Sequence, residues 1–257
     1  MKSIALAALA ATTLATVSHA QSYASTETSK VTIGAGVMVK PEYSGSDDYE
    51  TLPIPMVAAS TEITPGNTLY LRGLTAGLDH AVDDQLTIGL MGNYRFERDS
   101  SDSATLTGMP DIDGAFEMGP KVRYQVNPLL GLEAHALFDV SGAHEGYTAR
   151  AGADYKYPLS RVTMLTLEGG LNYGSDDYVT TYYGVAPAYA APGRPAYSLD
   201  AGFTHVDAAI GVRHALTRNW SVQGKVGADY LIGDAADSPL VKDELQPKAM
   251  LGVAYSF

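Results

Sequence analysis

The 257-residue sequence has no cysteine, one Trp, five Phe and only 17 basic residues against 29 acidic ones. Without cysteine there is no disulfide framework and no thiolate metal site, so stability in an oxidising compartment must come from the fold alone. The shortage of basic residues excludes the cationic footprint that nucleic acid requires. Beyond the amino terminus no run of eighteen apolar residues occurs, which rules out a transmembrane helix. Helical periodicity is also hard to find. What the chain does have is Gly (26) and Tyr (17), with a mean hydropathy of -0.05. That value suits a barrel whose strands are apolar on one face only.

The amino terminus reads as an export signal. Lys2 precedes an apolar run from Ile4 to Leu14, and Ser18-His19-Ala20 offers small residues at the −3 and −1 positions of a signal-peptidase site. Residues 1–20 are therefore expected to be removed after Ala20, and no Cys follows to carry a lipid. About 237 residues remain (257 − 20), enough for one sizeable β domain. Removing Lys2 leaves 16 basic residues (17 − 1) against 29 acidic, a formal charge of −13. Solvated acidic loops account for this simply; binding of a cation or a cationic partner is the sharper alternative. Residues 21–30 are polar and read as a short lead-in, leaving 31–257 for the folded domain.

Alternation then dominates. Successive side chains of a strand point to opposite faces. Val31, Ile33, Ala35, Val37 and Val39 share one face of a first strand, and Leu52 to Ser60 form a second in which Pro53 and Pro55 miss the same side of the ladder. Leu86, Ile88, Leu90, Tyr94 and Phe96 oppose Thr87, Met91, Asn93, Arg95 and Glu97. Phe116, Met118, Pro120, Val122 and Tyr124 oppose Glu117, Lys121, Arg123 and Gln125. Similar faces recur around Leu132, Ala151, Leu167, Ile210 and Val226, and the chain ends on Pro247, Ala249, Leu251, Val253, Tyr255 and Phe257. These strands approach the ~9–11 residues of a tilted membrane-spanning strand. Their apolar faces often begin or end in an aromatic, as an interfacial girdle requires. Their polar faces carry both signs of charge, which a dry sandwich core would reject.

Connections alternate in length. Asn127-Pro128, Pro158 to Arg161 and Thr217 to Asn219 are tight; Arg98 to Ile112, Gly174 to Ser198 and Gly233 to Gln246 are long. Short turns on the periplasmic side and long loops outside are the outer-membrane pattern. The expected fold is an all-β, transmembrane, antiparallel up-and-down β-barrel. Eleven strands can be counted, whereas single-chain bacterial barrels have an even number. Twelve is the expected number and ten the alternative. The discrepancy lies before Leu86: either Thr68 to Leu78 is interrupted at Gly73, or the first strand does not span.

Arg95, Glu97, Glu117, Lys121, Arg123, Glu133, His135, Asp139, Arg150, Asp154 and Lys156 are expected in the lumen, as a charge-compensated filling or as a selective pore. No catalytic residue is expected. His80, His135, His144, His205 and His214 lie outside any Gly-x-Ser-x-Gly or H-E-x-x-H context, and the paired Asp residues lie in turns. Gly45-Ser-Asp-Asp-Tyr49 recurs as Gly174-Ser-Asp-Asp-Tyr178, but neither copy is a full calcium loop. No metal or cofactor is expected.

Three segments are more specific than periodicity. They are Pro41-Glu-Tyr-Ser-Gly-Ser-Asp-Asp-Tyr49 running into Leu52-Pro-Ile-Pro55, Tyr182-Tyr-Gly-Val185, and Tyr230-Leu-Ile-Gly-Asp-Ala-Ala-Asp-Ser-Pro-Leu-Val241 with the terminal Gly252-Val-Ala-Tyr-Ser-Phe257. In this order they resemble the MipA/OmpV family of outer-membrane proteins, named for the MltA-interacting protein, over nearly all the mature chain. The resemblance implies a non-enzymatic scaffold that links a murein hydrolase (a lytic transglycosylase) to a bifunctional murein synthase in cell-wall remodelling. Other members are described as osmoregulated outer-membrane proteins or adhesins. A narrow channel or solute-binding barrel, or a surface adhesin acting through the long loops, therefore remains open.

Overall fold

The computed structural model describes residues 29–257. The export signal (1–20) and residues 21–28 of the polar lead-in lie outside the described residues. Twelve strands form one closed antiparallel barrel in which each pairs with its sequence neighbours. They are β1 (Ser29–Pro41), β2 (Tyr49–Thr64), β3 (Asn67–Arg72), β4 (Thr75–Ala81), β5 (Leu86–Arg95), β6 (Ala115–Gln125), β7 (Leu130–Asp139), β8 (Tyr147–Pro158), β9 (Thr163–Gly174), β10 (Gly202–Ala215), β11 (Trp220–Leu231) and β12 (Leu245–Ser256). β1 closes the barrel on β12, with Ile33 opposite Tyr255 and Val37 opposite Leu251. Closure satisfies the backbone N–H and C=O groups between strands, the condition for crossing hydrocarbon as a sheet.

The alternation in the sequence becomes an outside and an inside. Leu90 and Leu251 are each 57% exposed, whereas the lumen-facing Glu117 is 1% exposed. This inverts the soluble pattern, because the solvent outside is lipid and the barrel's interior is polar. Two belts of aromatics edge the apolar band. At the long-loop end Tyr94 meets Phe116 at 4.9 Å, Phe138 meets Tyr147 at 5.3 Å, and Tyr173 meets both Tyr147 (6.3 Å) and Phe203 (5.7 Å). At the short-turn end Tyr255 packs between Trp220 (5.2 Å) and Phe257 (4.9 Å), and Tyr155 stacks on Tyr157. Phe257 is held by its own N–H, which donates to the Val31 carbonyl at 2.9 Å.

The strand missing from the sequence count is found at Gly73. Thr68 to Leu78 is not one strand; it is divided between β3 and β4 by a two-residue hairpin at Gly73-Leu74. Gly73 has φ 57°, the left-handed value such a turn needs at its first position. The hairpin is short, with strands of 6 and 7 residues beside a 16-residue β2. β1 begins at Ser29, two residues ahead of the expected start at Val31.

Two substitutions test this architecture. Gly73→Val places a branched residue in the left-handed region and should cost about 1–2 kcal/mol of barrel stability, read as a lower urea midpoint in detergent. Phe257→Ser should reduce the heat-modifiable, folded protein recovered from outer membranes. Normal membrane levels of that variant would contradict a role for the terminal aromatic in assembly.

Candidate functional site

The long loops do not splay into solvent. Residues 175–201 carry a helix, α1 (Asp176–Tyr183), and residues 232–244 a single turn, α2 (Gly233–Ala236). α1 starts where Ser175 accepts the Tyr178 N–H and where Asp176 and Asp177 face the positive helix end. Tyr178, Val179 and Tyr183 of α1 pack with Leu199, Leu231 and Ala235. A second cluster joins Tyr43, Leu106, Met109, Val185 and Leu240, with Tyr197 touching both. Leu106 and Leu240 are fully buried. Loops connecting four different strand pairs thus build a small core over one mouth of the barrel.

Polar contacts pin that cap. The Tyr43 hydroxyl donates to the Leu240 carbonyl at 2.8 Å and the Ser238 hydroxyl to the Tyr183 carbonyl at 2.6 Å. Arg98 donates to the Tyr182 carbonyl at 2.8 Å, and Arg194 donates to the carbonyls of Thr105 (2.7 Å), Thr107 (3.0 Å) and Tyr189 (2.9 Å). Gln246, 2% exposed, accepts from the Gly45 N–H and donates to the Ser46 carbonyl, tying the β1–β2 loop to the start of β12. Burial raises the Tyr183 hydroxyl above its ordinary pKa, the neighbouring Tyr178 adding to the effect. Tyr43 is raised in the same way by its burial. Both hydroxyls therefore stay neutral across the physiological range.

Cap and barrel meet at Glu117. Its carboxylate, with no exposed side-chain surface, accepts from Arg95 Nε at 2.9 Å and Asn93 Nδ2 at 3.1 Å and lies 3.2 Å from His144 Nε2. His144 belongs to the β7–β8 loop and stands edge-on to Tyr178 at 5.3 Å. The Arg95 guanidinium lies 5.1 Å from the Tyr178 ring and 5.6 Å from the Tyr182 ring. One wall carboxylate thus holds together two strands, a loop and the cap helix.

Below this junction the lumen is laced by ion pairs. Lys121 bonds Asp79 (2.7 Å) and the Tyr70 hydroxyl (3.2 Å); Arg123 bonds Asp154 (2.7 Å). Arg150 grips Asp207 through two nitrogens at 2.9 and 2.7 Å, and Asn172 also donates to Asp207. Lys225 pairs with Glu168 and Lys248 with Asp229. Glycines make the room: a Cβ on Gly131 would lie 2.0 Å from Arg123 Nη2, and one on Gly170 2.5 Å from Arg150 Nη2. The lumen is not polar all round, however. Met38, Ile54, Met56, Met250 and Ala254 form a buried apolar sector on β1, β2 and β12, with Leu52 and Phe96 against it.

Nine of the eleven residues expected in the lumen are there. Glu97 is not: β5 ends at Arg95, so Glu97 falls in the loop and is exposed. Asp139, at the end of β7, turns away to organise the β7–β8 loop, accepting the N–H groups of Ser141, Gly142, His144 and Glu145. The two Gly-Ser-Asp-Asp-Tyr segments adopt different structures, a loop with Gly45 at φ 101° and the start of α1. Among the described residues no three His, Asp or Glu come together as a metal site would need. Alternation alone missed the anchoring role of His144 and the lumen carboxylates Asp207, Glu168 and Asp229. The last three face inward in the same period-two pattern, so the signal was present; His144 sits in a loop and gives none.

The family model described as MltA-interacting protein MipA matches residues 33–257. The chain belongs to the MipA family. No curated protein sequence matches it. Among solved structures it is similar to the translocator domain of the autotransporter NalP from Neisseria meningitidis (TM-score 0.49, 12% identity, covering 91% of this chain and 90% of that one). It is similar also to the NanC porin (0.46, 12%, 88% and 98%) and the KdgM porin (0.44, 12%, 88% and 99%). The MipA-family barrel described here is of the outer-membrane type.

Removing the Glu117 carboxylate should leave the part-buried Arg95 and Asn93 side chains without their acceptor. Glu117→Ala is expected to cost about 1–3 kcal/mol, the penalty for leaving hydrogen-bond donors without their acceptor. It should also make the loops at 96–114 and 175–201 cleavable by added protease while the strands stay protected. A variant as stable and as protease-resistant as the parent would show that the cap does not depend on this junction.

Proposed function

We propose that this barrel is an outer-membrane scaffold that holds a lytic transglycosylase beside a bifunctional murein synthase, coupling cutting of the wall to insertion of new strands. The observation that supports the reading is the capped mouth. A barrel whose long loops pack a core across its opening, latched to the wall through Glu117, is built as an anchor and poorly built for open diffusion. The family's printed description, MltA-interacting protein, supports a partner of the murein-hydrolase class. In this reading the barrel does no chemistry itself. Its short-turn rim, which exposes Val82, Leu159, Val162 and Leu216, offers the partner surface on the wall side of the membrane.

The test is crosslinking with mass spectrometry in whole cells, followed by pull-down of the detergent-solubilised barrel. A lytic transglycosylase should be recovered, with crosslinks at the short-turn rim. Recovery of no murein enzyme under crosslinking would sink the scaffold reading. A second reading, a narrow channel or solute-binding barrel, is favoured by the lumen below the cap, where Arg123, Glu133 and Arg150 keep a fifth to a quarter of their side-chain surface open. Discrete conductance steps in planar bilayers, altered by Arg123→Ala, would support it; a silent wild-type barrel would dismiss it.

A further inference from the structure

We propose that the lumen holds an oxyanion site between Arg72 of β3 and Lys156 of β8. It takes a carboxylate or phosphate group of a small solute that enters from the short-turn side. Arg72 shares the inward face of β3 with Tyr70, whose hydroxyl bonds Lys121 in the lumen. Lys156 shares the inward face of β8 with Arg150 and Asp154. Both side chains are only partly buried, and Lys156 keeps 24% of its side-chain surface open. β7 begins at Leu130, which pairs with Tyr155, so Lys156 stands at the short-turn mouth. The cap lies across the opposite mouth.

What sets these two cations apart is what they lack. Arg95, Lys121, Arg123, Arg150, Lys225 and Lys248 each lie within 2.9 Å of a carboxylate oxygen. Arg72 has no acid among the described residues. Its guanidinium carbon rests 5.0 Å from the Tyr70 ring centre, a contact through the face that leaves the N–H edge free. Lys156 reaches only Asp154, at 3.6 Å, beyond hydrogen-bond length, and Asp154 is already held by Arg123 at 2.7 Å. Among the described residues neither side chain donates a hydrogen bond. The two stand close enough, however, for the charge of Arg72, like that of Arg123, to act on Lys156.

Two cations with unused donors, held together in a partly dehydrated lumen, repel until a counter-charge joins them. The carboxylates nearby are already engaged: Asp79 by Lys121, Asp154 by Arg123, and Glu133 between Arg123 and His135. Arg72, Lys121, Arg123 and Lys156 outnumber those three acids by one, in a chain that is acidic overall. A guanidinium fork matches two oxygens of a carboxylate or phosphate, and an ammonium adds a point charge beside it. A cationic solute would be repelled here, and a neutral one would leave the excess charge unmatched. Arg213 also lacks an acid, but it donates to the Ser221 hydroxyl at 3.3 Å and has no second cation acting on it.

The site rests on the solute-binding form of the second reading above and makes no use of murein partners. The mature wild-type barrel, in detergent at low salt, is acetylated with an N-hydroxysuccinimide ester, and the modified lysines are located by mass spectrometry. Inorganic phosphate, and in a separate arm acetate, should slow acetylation of Lys156 several-fold. Lys40 and Lys248, each with its own acid, should react as before. Arg72→Gln should abolish the protection of Lys156, and Arg213→Gln should preserve it. Protection by neither anion, equal protection of all three lysines, or a Lys156 that never reacts would overturn the proposal, as would full protection in Arg72→Gln or its loss in Arg213→Gln. Where a variant fails to fold, the wild-type comparison decides alone. Conductance steps without protection of Lys156 would strike the site and leave the channel standing.

Discussion

A sheet in hydrocarbon cannot leave its edges unpaired, and the rest of this structure follows from that constraint. Water is not available to satisfy stray N–H and C=O groups, so the first strand must find the last. The β1–β12 ladder runs from Thr32 opposite Ser256 to Val39 opposite Ala249. Its demands fix the period-two pattern of the whole chain, because each strand must offer one face to lipid and one to the lumen. Where β2 runs on beyond β3, over residues 49–57, Pro53 and Pro55 remove two of the N–H groups its free edge would otherwise present.

The interior answers a different demand. Charged side chains taken out of bulk water need partners, and the lumen supplies them across strands, as in the two-pronged contact of Arg150 with Asp207. Such pairs add little net stability, but they give the side chains one arrangement and leave few unmatched charges. Glu117 extends the same logic to the cap: a carboxylate on the wall becomes the fixed point to which His144 and Arg95 are tied.

Much of this was legible in the sequence. Faces such as Leu86–Ile88–Leu90 and Pro247–Ala249–Leu251 are long enough for alternation to be unmistakable, and they predict the barrel and most of its lumen. Strand number was legible only as a conflict with the even-number rule. β3 and β4 are too short for period two to stand out, and the turn between them is marked by one glycine. The cap was not legible. Tyr43 bonds Leu240 across 197 positions and Ser44 bonds Tyr183 across 139, and no local pattern announces contacts of that separation. α1 was hidden for a related reason: its Asp-Asp start reads equally well as a turn, and its tyrosines become a buried face only when other loops arrive.

That separation orders the assembly in time. The cap's two clusters draw on four connections and join segments from residue 43 to residue 241. Long-range contacts of this kind form late, because the chain between them must already be arranged. The neighbouring-strand ladders are local by comparison, and they bring the loop bases together. The cap's core therefore cannot be complete until connections as far apart as residue 43 and residue 241 stand side by side.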